Sequence, residues 1–219
     1  MIVTAIERTP HRRGRVDVYI DGERRFDVGR DVARARGLRP GVPIDAAQVA
    51  AIVRLDLRRQ AMQHAAAMLA RRPHSEREIR RRLAQRRIEP ALIDETVARL
   101  RAAHLIDDAE FARSWAASRD GTSPRGRRLI VRELRARGVD AGLAADATAS
   151  LSDEDAAYRA AARRSRAMGS LDYQTFRARL ASFLQRRGFG WEAARAAIDR
   201  CWRDLGGAPV EDDFAGFIE

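Results

Sequence analysis

Apolar residues recur every three or four positions along most of the chain beyond residue 45, which is the spacing of one face of an α-helix. In the segment SEREIRRRLAQRRI, Ile79 and Leu83 lie four residues apart on one face, and arginines fill half of the remaining positions. Ser75 and Glu78 form a capping-box pattern, in which each side chain can satisfy a backbone donor of the first helical turn. We therefore expect a short basic helix with a narrow apolar edge to begin here.

Two further helices are expected after this basic helix. Pro90 is predicted to open the second, because proline fits a first helical turn without the loss of a needed donor. Asp107 or Asp108 can cap the third, which carries Phe111 and Trp115 four residues apart. The pattern thus predicts a three-helix unit, and its second helix buries a stripe made of Ile93, Val97 and Leu100.

A similar arrangement returns twice at nearly constant spacing. Leu83, Leu134 and Leu184 lie among arginines on corresponding helices, separated by 51 and then 50 residues. Gly138 and Gly188 follow the second and third basic helices, where a left-handed helix end suits glycine. We predict three tandem copies of one helical unit that stack into an elongated array, because a thin core makes each copy depend on its neighbours.

The first 57 residues follow a different pattern, with apolar positions that alternate as in a β-strand. Val16, Val18 and Ile20 precede Asp21 and Gly22, a pair that favours the type I′ turn of a two-residue hairpin. Because an isolated hairpin is only marginally stable, a further strand in which Ile2, Thr4 and Ile6 alternate, together with covering helices, is expected to complete a small sheet.

Helices are expected to cover this sheet and to lead into the repeats. One is predicted from Asp31 to Arg36, and the next is capped by Asp45 and carries an apolar edge. A separate helix is predicted to start at Asp56 and to end near Arg72, with four residues facing inward, namely Met62, Ala65, Ala66 and Leu69.

The predicted fold is therefore mainly α, with three tandem three-helix repeats preceded by a small α+β domain that contains a β-hairpin. The expected domains are the α+β domain at 1–57, helical repeats at 58–110, 111–152 and 153–205, and an acidic, disordered tail at 206–219.

The charge of the chain points to an acidic partner. The formal net charge is +11, and all 42 basic residues are arginine. Residues 205–219 contain acidic residues and no basic residue, so the folded body is more positive than the whole chain. Such a body should attract phosphate or an acidic protein surface, and this attraction should weaken with salt.

The sequence offers no catalytic or metal-binding constellation. His64 and His74 have no cysteine or acidic partner at ligand spacing, so we interpret them as solvated or hydrogen-bonded side chains. The closing helix is expected to carry an apolar stripe formed by Trp191, Ala194, Ile198, Cys201 and Leu205, so Cys201 should be buried and unreactive. No nucleotide-binding glycine loop, zinc spacing or nucleophile elbow is present. We expect neither enzymatic activity nor a cofactor.

The targeting signals of a membrane or secreted protein are also missing from the pattern. No apolar stretch approaches the roughly 18 residues of a membrane span, and residues 1–6 are too short for the apolar segment of a signal peptide. A single cysteine fits a reducing compartment. We expect a soluble, cytoplasmic monomer.

Arginines on the outer faces of the three basic helices are the candidate functional residues. One explanation is that they keep an alanine-rich protein soluble and pair with nearby glutamates. The other is that they bind a partner, because guanidinium groups suit bidentate contacts to phosphate or carboxylate. The recurrence on corresponding helices favours binding, and the candidate partner-binding or nucleic-acid-binding residues are Arg81, Arg82, Arg86, Arg127, Arg128, Arg132, Arg135, Arg137, Arg177, Arg186 and Arg187.

Four segments, in this order, resemble the RecX family: SEREIRRRLAQRRI, LIDDAEFARSWAASR, SPRGRRLIVRELRARGV and FLQRRGFGWEAARAAID. The resemblance covers roughly residues 58–204. It implies three repeats of a three-helix unit that bind the RecA recombinase filament on single-stranded DNA, and inhibition of ATP turnover and strand exchange by contact alone. The chain departs from the family pattern at Arg87, where glycine is usual, and at Trp115, where tyrosine is usual.

A helix-turn-helix-like transcriptional regulator is the alternative, because paired helices with basic faces could enter a major groove. Base readout usually needs Asn or Gln beside Arg, however, and the basic helices contain only Gln85, Gln174 and Gln185. Nonspecific contact with single-stranded or double-stranded DNA is compatible with this composition. A sequence-specific operator is favoured less than a filament.

Overall fold

The computed structural model describes residues 1–207, and the predicted acidic tail lies outside the described residues beyond that point. The chain is mainly helical with one small sheet, which confirms the predicted fold class. The strands are β1 (Val3–Arg8), β2 (Arg15–Ile20) and β3 (Glu23–Gly29). The helices are α1 (Arg30–Ala35), α2 (Ala46–Leu69), α3 (Glu76–Gln85), α4 (Pro90–Ala102), α5 (Asp108–Gly121), α6 (Arg127–Ala136), α7 (Ala141–Asp146), α8 (Asp153–Ser165), α9 (Tyr173–Arg186) and α10 (Trp191–Asp204), with a 3-10 turn at Arg166–Met168.

The chain divides into two compact units. The first comprises Met1–Pro73 and Ile79–Leu105, and the second comprises His74–Glu78 and the chain from Ile106 onward. The first unit contains the sheet, α1, α2, most of α3 and α4. The second contains the first residues of α3 and all of α5 to α10.

The N-terminal hairpin has the predicted form. The sheet order is β1-β2-β3, and both pairs of strands are antiparallel. Asp21 and Gly22 both have positive φ, at 51° and 87°, which matches the type I′ turn expected for this residue pair. Val18 and Ile20 are buried beside Val3 of the additional strand. The alternating pattern therefore placed the correct residues of β2 on the core side. For the first strand it was wrong, because Ile2 and Thr4 are exposed and Val3 is buried, and the register of β1 shifts between Val3 and Ala5.

One prediction for the covering helices is wrong, because no helix boundary occurs at Asp56. The helix capped by Asp45 continues without a break to Leu69. Within it, the Asp56 carboxylate accepts hydrogen bonds from Arg15 Nη2 at 2.8 Å and from the backbone N–H of Gly29 at 2.8 Å. Asp56 thus connects α2 to the sheet. Its side chain is buried, and these hydrogen bonds offset the cost of removing the carboxylate from water.

The predicted inward face of α2 is also partly wrong. Ala61 and Ala65 are fully buried, whereas Ala66 is exposed and Met62 is half-buried. Because alanines stand at both 65 and 66, periodicity alone does not distinguish the two overlapping stripes. Packing of α2 against β3 and α4 makes the choice.

Three smaller expectations on helix ends and faces also need correction. The N-cap residue of α1 is Gly29, and Asp31 lies within the first turn, where its carboxylate accepts from the Val32 backbone N–H at 2.9 Å. Trp191 and Leu205 were expected on the buried stripe of the last helix but are exposed. They stand at the first residue and the C-cap of α10, beyond the turns that pack.

The apolar stripes of the basic helices are confirmed. Ile79 and Leu83 of α3 are fully buried, and so are their counterparts on α6 and α9. Asp107 caps α5 and Asp172 caps α9, while Pro90 stands in the first turn of α4. The remaining fully buried residues of the basic helices are Ile130, Leu134, Phe176, Leu180 and Leu184.

Candidate nucleic-acid and partner-binding surfaces

Each basic helix ends in a left-handed residue. The φ angles are 59° at Arg87, 89° at Gly138 and 80° at Gly188. The three turns therefore share one backbone form, although only two of them carry the glycine that this form favours. The residue just before each turn is an arginine, and two of these three arginines have contacts that sequence analysis did not anticipate.

In the second unit, the segment His74–Glu78 docks onto the turn that follows α6. Ser75 Oγ donates a hydrogen bond to the Arg137 carbonyl at 2.6 Å, and the Arg137 guanidinium pairs with the Glu78 carboxylate. The Glu76 backbone N–H donates to Asp108 Oδ1 at 2.8 Å. Ser75 is fully buried, so this contact excludes water. We call these interactions the first docking contact.

The turn that follows α9 docks onto the start of α6 in the same way. The Gly126 backbone N–H donates to the Arg187 carbonyl at 2.9 Å, and Arg187 Nη1 donates to Ser123 Oγ at 3.1 Å. The Arg127 backbone N–H donates to Asp153 Oδ1 at 2.8 Å. This second docking contact repeats the pattern of the first, with the first residue of the next opening helix supplying the carboxylate in both.

The two docking contacts bring backbone very close to its neighbours. A Cβ atom on Gly126 would overlap the backbone carbonyl of Gly188, and a Cβ atom on Gly138 would overlap the side chain of Arg77. Glycine is therefore required at these positions by the close approach as well as by the φ angle of Gly138.

A second cluster holds the outer side of α6. Glu133 accepts from Trp115 Nε1 at 3.0 Å and from Arg119 Nε at 3.0 Å, and it also pairs with Arg125. The Trp115 ring contacts two guanidinium groups, with Arg119 Cζ at 4.1 Å and Arg137 Cζ at 3.9 Å from its centroid. These stacked pairs are cation–π interactions. Arg119 and Arg125 thus fit the explanation in which arginines pair with nearby glutamates.

Six of the predicted arginines are exposed and have no hydrogen-bonding or ionic partner for their side chains within residues 1–207. Arg81 lies on α3 of the first unit, and the other five lie in the second unit. The contact between Gly126 and Gly188 brings the end of α9 next to the start of α6. We call this set the free arginines, and its members are Arg81, Arg127, Arg128, Arg132, Arg135 and Arg186.

The other five predicted residues are engaged to different degrees. Arg82 donates to Gln85 Oε1 at 3.2 Å, and Arg86 Nη1 lies 3.5 Å from His64 Nε2. The guanidinium of Arg177 lies 6.0 Å from the ring centroid of Trp191. The remaining two form the docking contacts described above, namely Arg137 and Arg187.

His64, His74 and Cys201 have ordinary environments. Burial, and then the positive charge of Arg86, lowers the pKa of His64, so at neutral pH its ring is uncharged. His74 Nδ1 lies 3.0 Å from Glu78 Oε2. Burial raises the pKa of the Cys201 thiol, which keeps it protonated and poorly nucleophilic at neutral pH.

Metal-ligand clusters and membrane-spanning helices are absent from the described part of the chain. Among residues 1–207, no three His, Cys, Asp or Glu side chains are grouped so that they could hold a metal ion. Over the same range, every helix is too short or too polar to cross a membrane.

Comparison with known proteins places the three helical segments in one family. Models of the first, second and third three-helix domains of RecX match residues 61–100, 107–147 and 152–198. The chain is 34% identical over 138 residues to the regulatory protein RecX of Levilactobacillus brevis, a match that spans 63% of this chain and 52% of that protein. It is 32% identical over 142 residues to the regulatory protein RecX of Amycolatopsis mediterranei, covering 64% of this chain and 81% of the relative.

A solved structure confirms the fold. The crystal structure of a regulatory protein RecX aligns with 90% of this chain and 98% of its own, with a TM-score of 0.62 and 24% sequence identity. The order of the three matched domains follows the 51- and 50-residue spacing of the basic helices. The chain is therefore a member of the RecX family of regulatory proteins.

Proposed function

We propose that this protein binds a RecA-type recombinase filament on single-stranded DNA and restrains it, lowering ATP hydrolysis and strand exchange. The family membership supports a regulatory role. The resemblance of the basic helices to those of RecX proteins supports the recombinase filament as the partner and inhibition as the effect.

The free arginines are the single observation that carries the proposal. Arg81 and Arg132 stand 51 residues apart, at equivalent positions of two basic helices, and both are exposed without a partner. Unpaired guanidinium groups that recur at equivalent positions are poorly explained by local ion pairing. They suit an anionic surface that also repeats, such as the phosphates of a nucleic acid or the carboxylates of a protein polymer.

Contact alone is sufficient for such a role. Several weak contacts made by one chain to successive protomers add through avidity, so that each need not be strong. A protein bound along the filament would oppose the rearrangements that accompany ATP turnover and would block access of a second DNA molecule. In this proposal the free arginines bind, whereas Arg137 and Arg187 act as positioning residues that hold the basic helices.

The test is a steady-state ATPase assay of a recombinase on single-stranded DNA. We expect the full chain to lower the turnover at amounts near or below one per recombinase protomer. The inhibition should weaken as salt is raised, because the contacts are electrostatic. Unchanged turnover together with unchanged strand exchange at several-fold excess would reject the proposal.

A duplex-binding assay distinguishes the helix-turn-helix alternative from the filament regulator. A regulator of transcription would bind one duplex sequence at least about a thousandfold more tightly than random duplex. The proposed filament regulator should show little preference among duplex sequences. Its basic helix α6 exposes arginines but contains no Asn or Gln side chain that could read bases beside them. A strong preference would favour the alternative.

A further inference from the structure

An open groove lies on the N-terminal α+β region of the first unit. Its volume is about 800 Å³, and it runs between the ends of β1 and β2, α1 and the segment that follows α1. The groove has an aliphatic floor formed by Ile6, Val16, Ala33, Leu38 and Val42. It also has a basic rim formed by Arg8, Arg30, Arg34 and Arg39.

The rim arginines differ from those arginines of this region that pair with aspartates. Arg12 and Arg15 pair with Asp27, and Arg24 pairs with Asp17. The four rim side chains are all exposed, and none has a hydrogen-bonding or ionic partner within residues 1–207. Like charges collected along one groove repel each other, so their positive potential is available to an anionic ligand.

The acidic residue among those lining the groove does not cancel this potential. Glu7 interacts with Tyr19, and its negative charge is the largest cause that raises the pKa of Tyr19. Successive side chains of a strand point to opposite faces, so Tyr19 lies on the face opposite to Val16 and Val18. Glu7 is thus directed away from Ile6 and Arg8, whose side chains share the groove side of β1.

We propose that this groove binds the backbone of a single strand of nucleic acid, as a site separate from the free arginines of the helical repeats. A single strand carries one phosphate in every nucleotide and also exposes apolar base and sugar surface. The basic rim complements the first feature and the aliphatic floor complements the second. The proposal does not depend on the recombinase as the partner of the repeats.

The dimensions and the lining favour this occupant over two others. The volume of the groove lies within the range of about 300–1,000 Å³ that is typical of small-ligand sites. A groove of this size accommodates a short stretch of a single strand but not the width of a duplex. A duplex also buries its base faces by stacking, so it would leave the aliphatic floor without a partner. An acidic peptide does not carry a charge in every residue together with a planar apolar group.

The proposed site is tested with the full chain and a labelled oligothymidylate of about 20 nucleotides, by fluorescence anisotropy at several salt concentrations. The groove variant is Arg34→Glu/Arg39→Glu. The matched control is Arg13→Glu/Arg36→Glu, which makes the same change of charge at two exposed arginines of the same region that do not line the groove. A third variant, Arg34→Lys/Arg39→Lys, keeps the charge.

The groove variant should bind the oligothymidylate at least about tenfold more weakly than the control variant. Its plot of log affinity against log salt should be shallower by about 1.4, since each lost phosphate contact removes roughly 0.7 from the slope. The lysine variant should retain most of the affinity. All four proteins should unfold at the same temperature, because the altered side chains have no partners to lose.

Three outcomes would overturn the proposal. The first is equal weakening by the groove and control variants, which would mean that only net charge matters. The second is an unchanged affinity of the groove variant. The third is displacement of the oligothymidylate by polyglutamate at equal charge concentration, which would assign the groove to an acidic peptide. None of these results bears on ATPase inhibition of a recombinase, so the two proposals fail separately.

Discussion

The turn after α3 and the turn after α6 have the same backbone form but different surroundings. Arg87 and Gly138 both adopt a left-handed conformation, at 59° and 89°. Arg87 is exposed, whereas a Cβ atom at Gly138 would overlap the side chain of Arg77. A left-handed φ alone therefore does not enforce glycine, because its strain is small enough for one arginine to accept. Glycine becomes necessary where another segment packs against the turn.

The arginines that precede these turns also differ in their surroundings. Arg86 is exposed and only approaches His64, but Arg137 bonds Glu78 and stacks on Trp115. Arg187 likewise donates to Ser123 Oγ and to the Pro124 carbonyl. Arginines at equivalent positions of the repeat therefore differ in role. Arg86 is an exposed side chain, whereas Arg137 and Arg187 form the docking contacts.

The largest expected effect comes from the closest approach in the docking contacts. Gly126→Ala should lower the free energy of unfolding by about 3 kcal/mol, because the added methyl group would meet the Gly188 carbonyl and force backbone to move. Urea unfolding followed by circular dichroism measures this change. Gly121→Ala is the control, since an added Cβ there meets no atom within 4 Å. Similar stability of the two variants would contradict the close packing.

The arginine comparison is tested by truncation at equivalent positions. Arg137→Ala should destabilise the protein by about 2 kcal/mol, because it removes a charge-assisted bond to the buried Glu78 carboxylate and a guanidinium group from the Trp115 ring. Arg86→Ala should change the free energy of unfolding by less than about 0.5 kcal/mol, as is usual for an exposed surface residue. Equal effects in urea unfolding would mean that the docking contact does not stabilise the protein.

The smallest expected effect concerns the strained arginine itself. Arg87→Gly should raise the free energy of unfolding by about 1 kcal/mol, which is the strain that a side chain meets in the left-handed region, reduced by the greater freedom of glycine in the unfolded chain. The shift in the urea midpoint measures it. A destabilised Arg87→Gly variant would show that the arginine side chain makes a stabilising contact that outweighs its strain.

Sequence periodicity predicted the parts of this fold that local physics determines. The spacing of apolar residues within each segment predicted the three basic helices. Asp45 was identified as a helix cap, and Asp107 was one of two candidates for the cap of α5. The Asp21–Gly22 turn was predicted because two adjacent residues determine it. Each of these features depends on residues within one or two helical turns of each other.

Long-range pairings could not be read in the same way. Asp56 looks like a helix cap in sequence, and only folding of the sheet brings Arg15 beside it. Arg137 and Arg187 looked like their exposed neighbours, because the segments they contact lie about 60 residues away. Gly138 and Gly188 were the sequence signal for the docking contacts, because a glycine after a helix can indicate close packing as well as a left-handed turn.

The proposed division of roles is that the free arginines bind the partner while Arg137 and Arg187 hold the fold. It is tested most directly by the affinity of the full chain for a recombinase filament on single-stranded DNA, measured alongside thermal unfolding. Arg132→Ala/Arg135→Ala should weaken binding by about tenfold, or about 1.4 kcal/mol, with the unfolding temperature unchanged. The control is Arg163→Ala/Arg166→Ala, which removes two exposed arginines outside the basic helices and should bind within about twofold of the unaltered protein. Equal affinities of the two variants would contradict the claim.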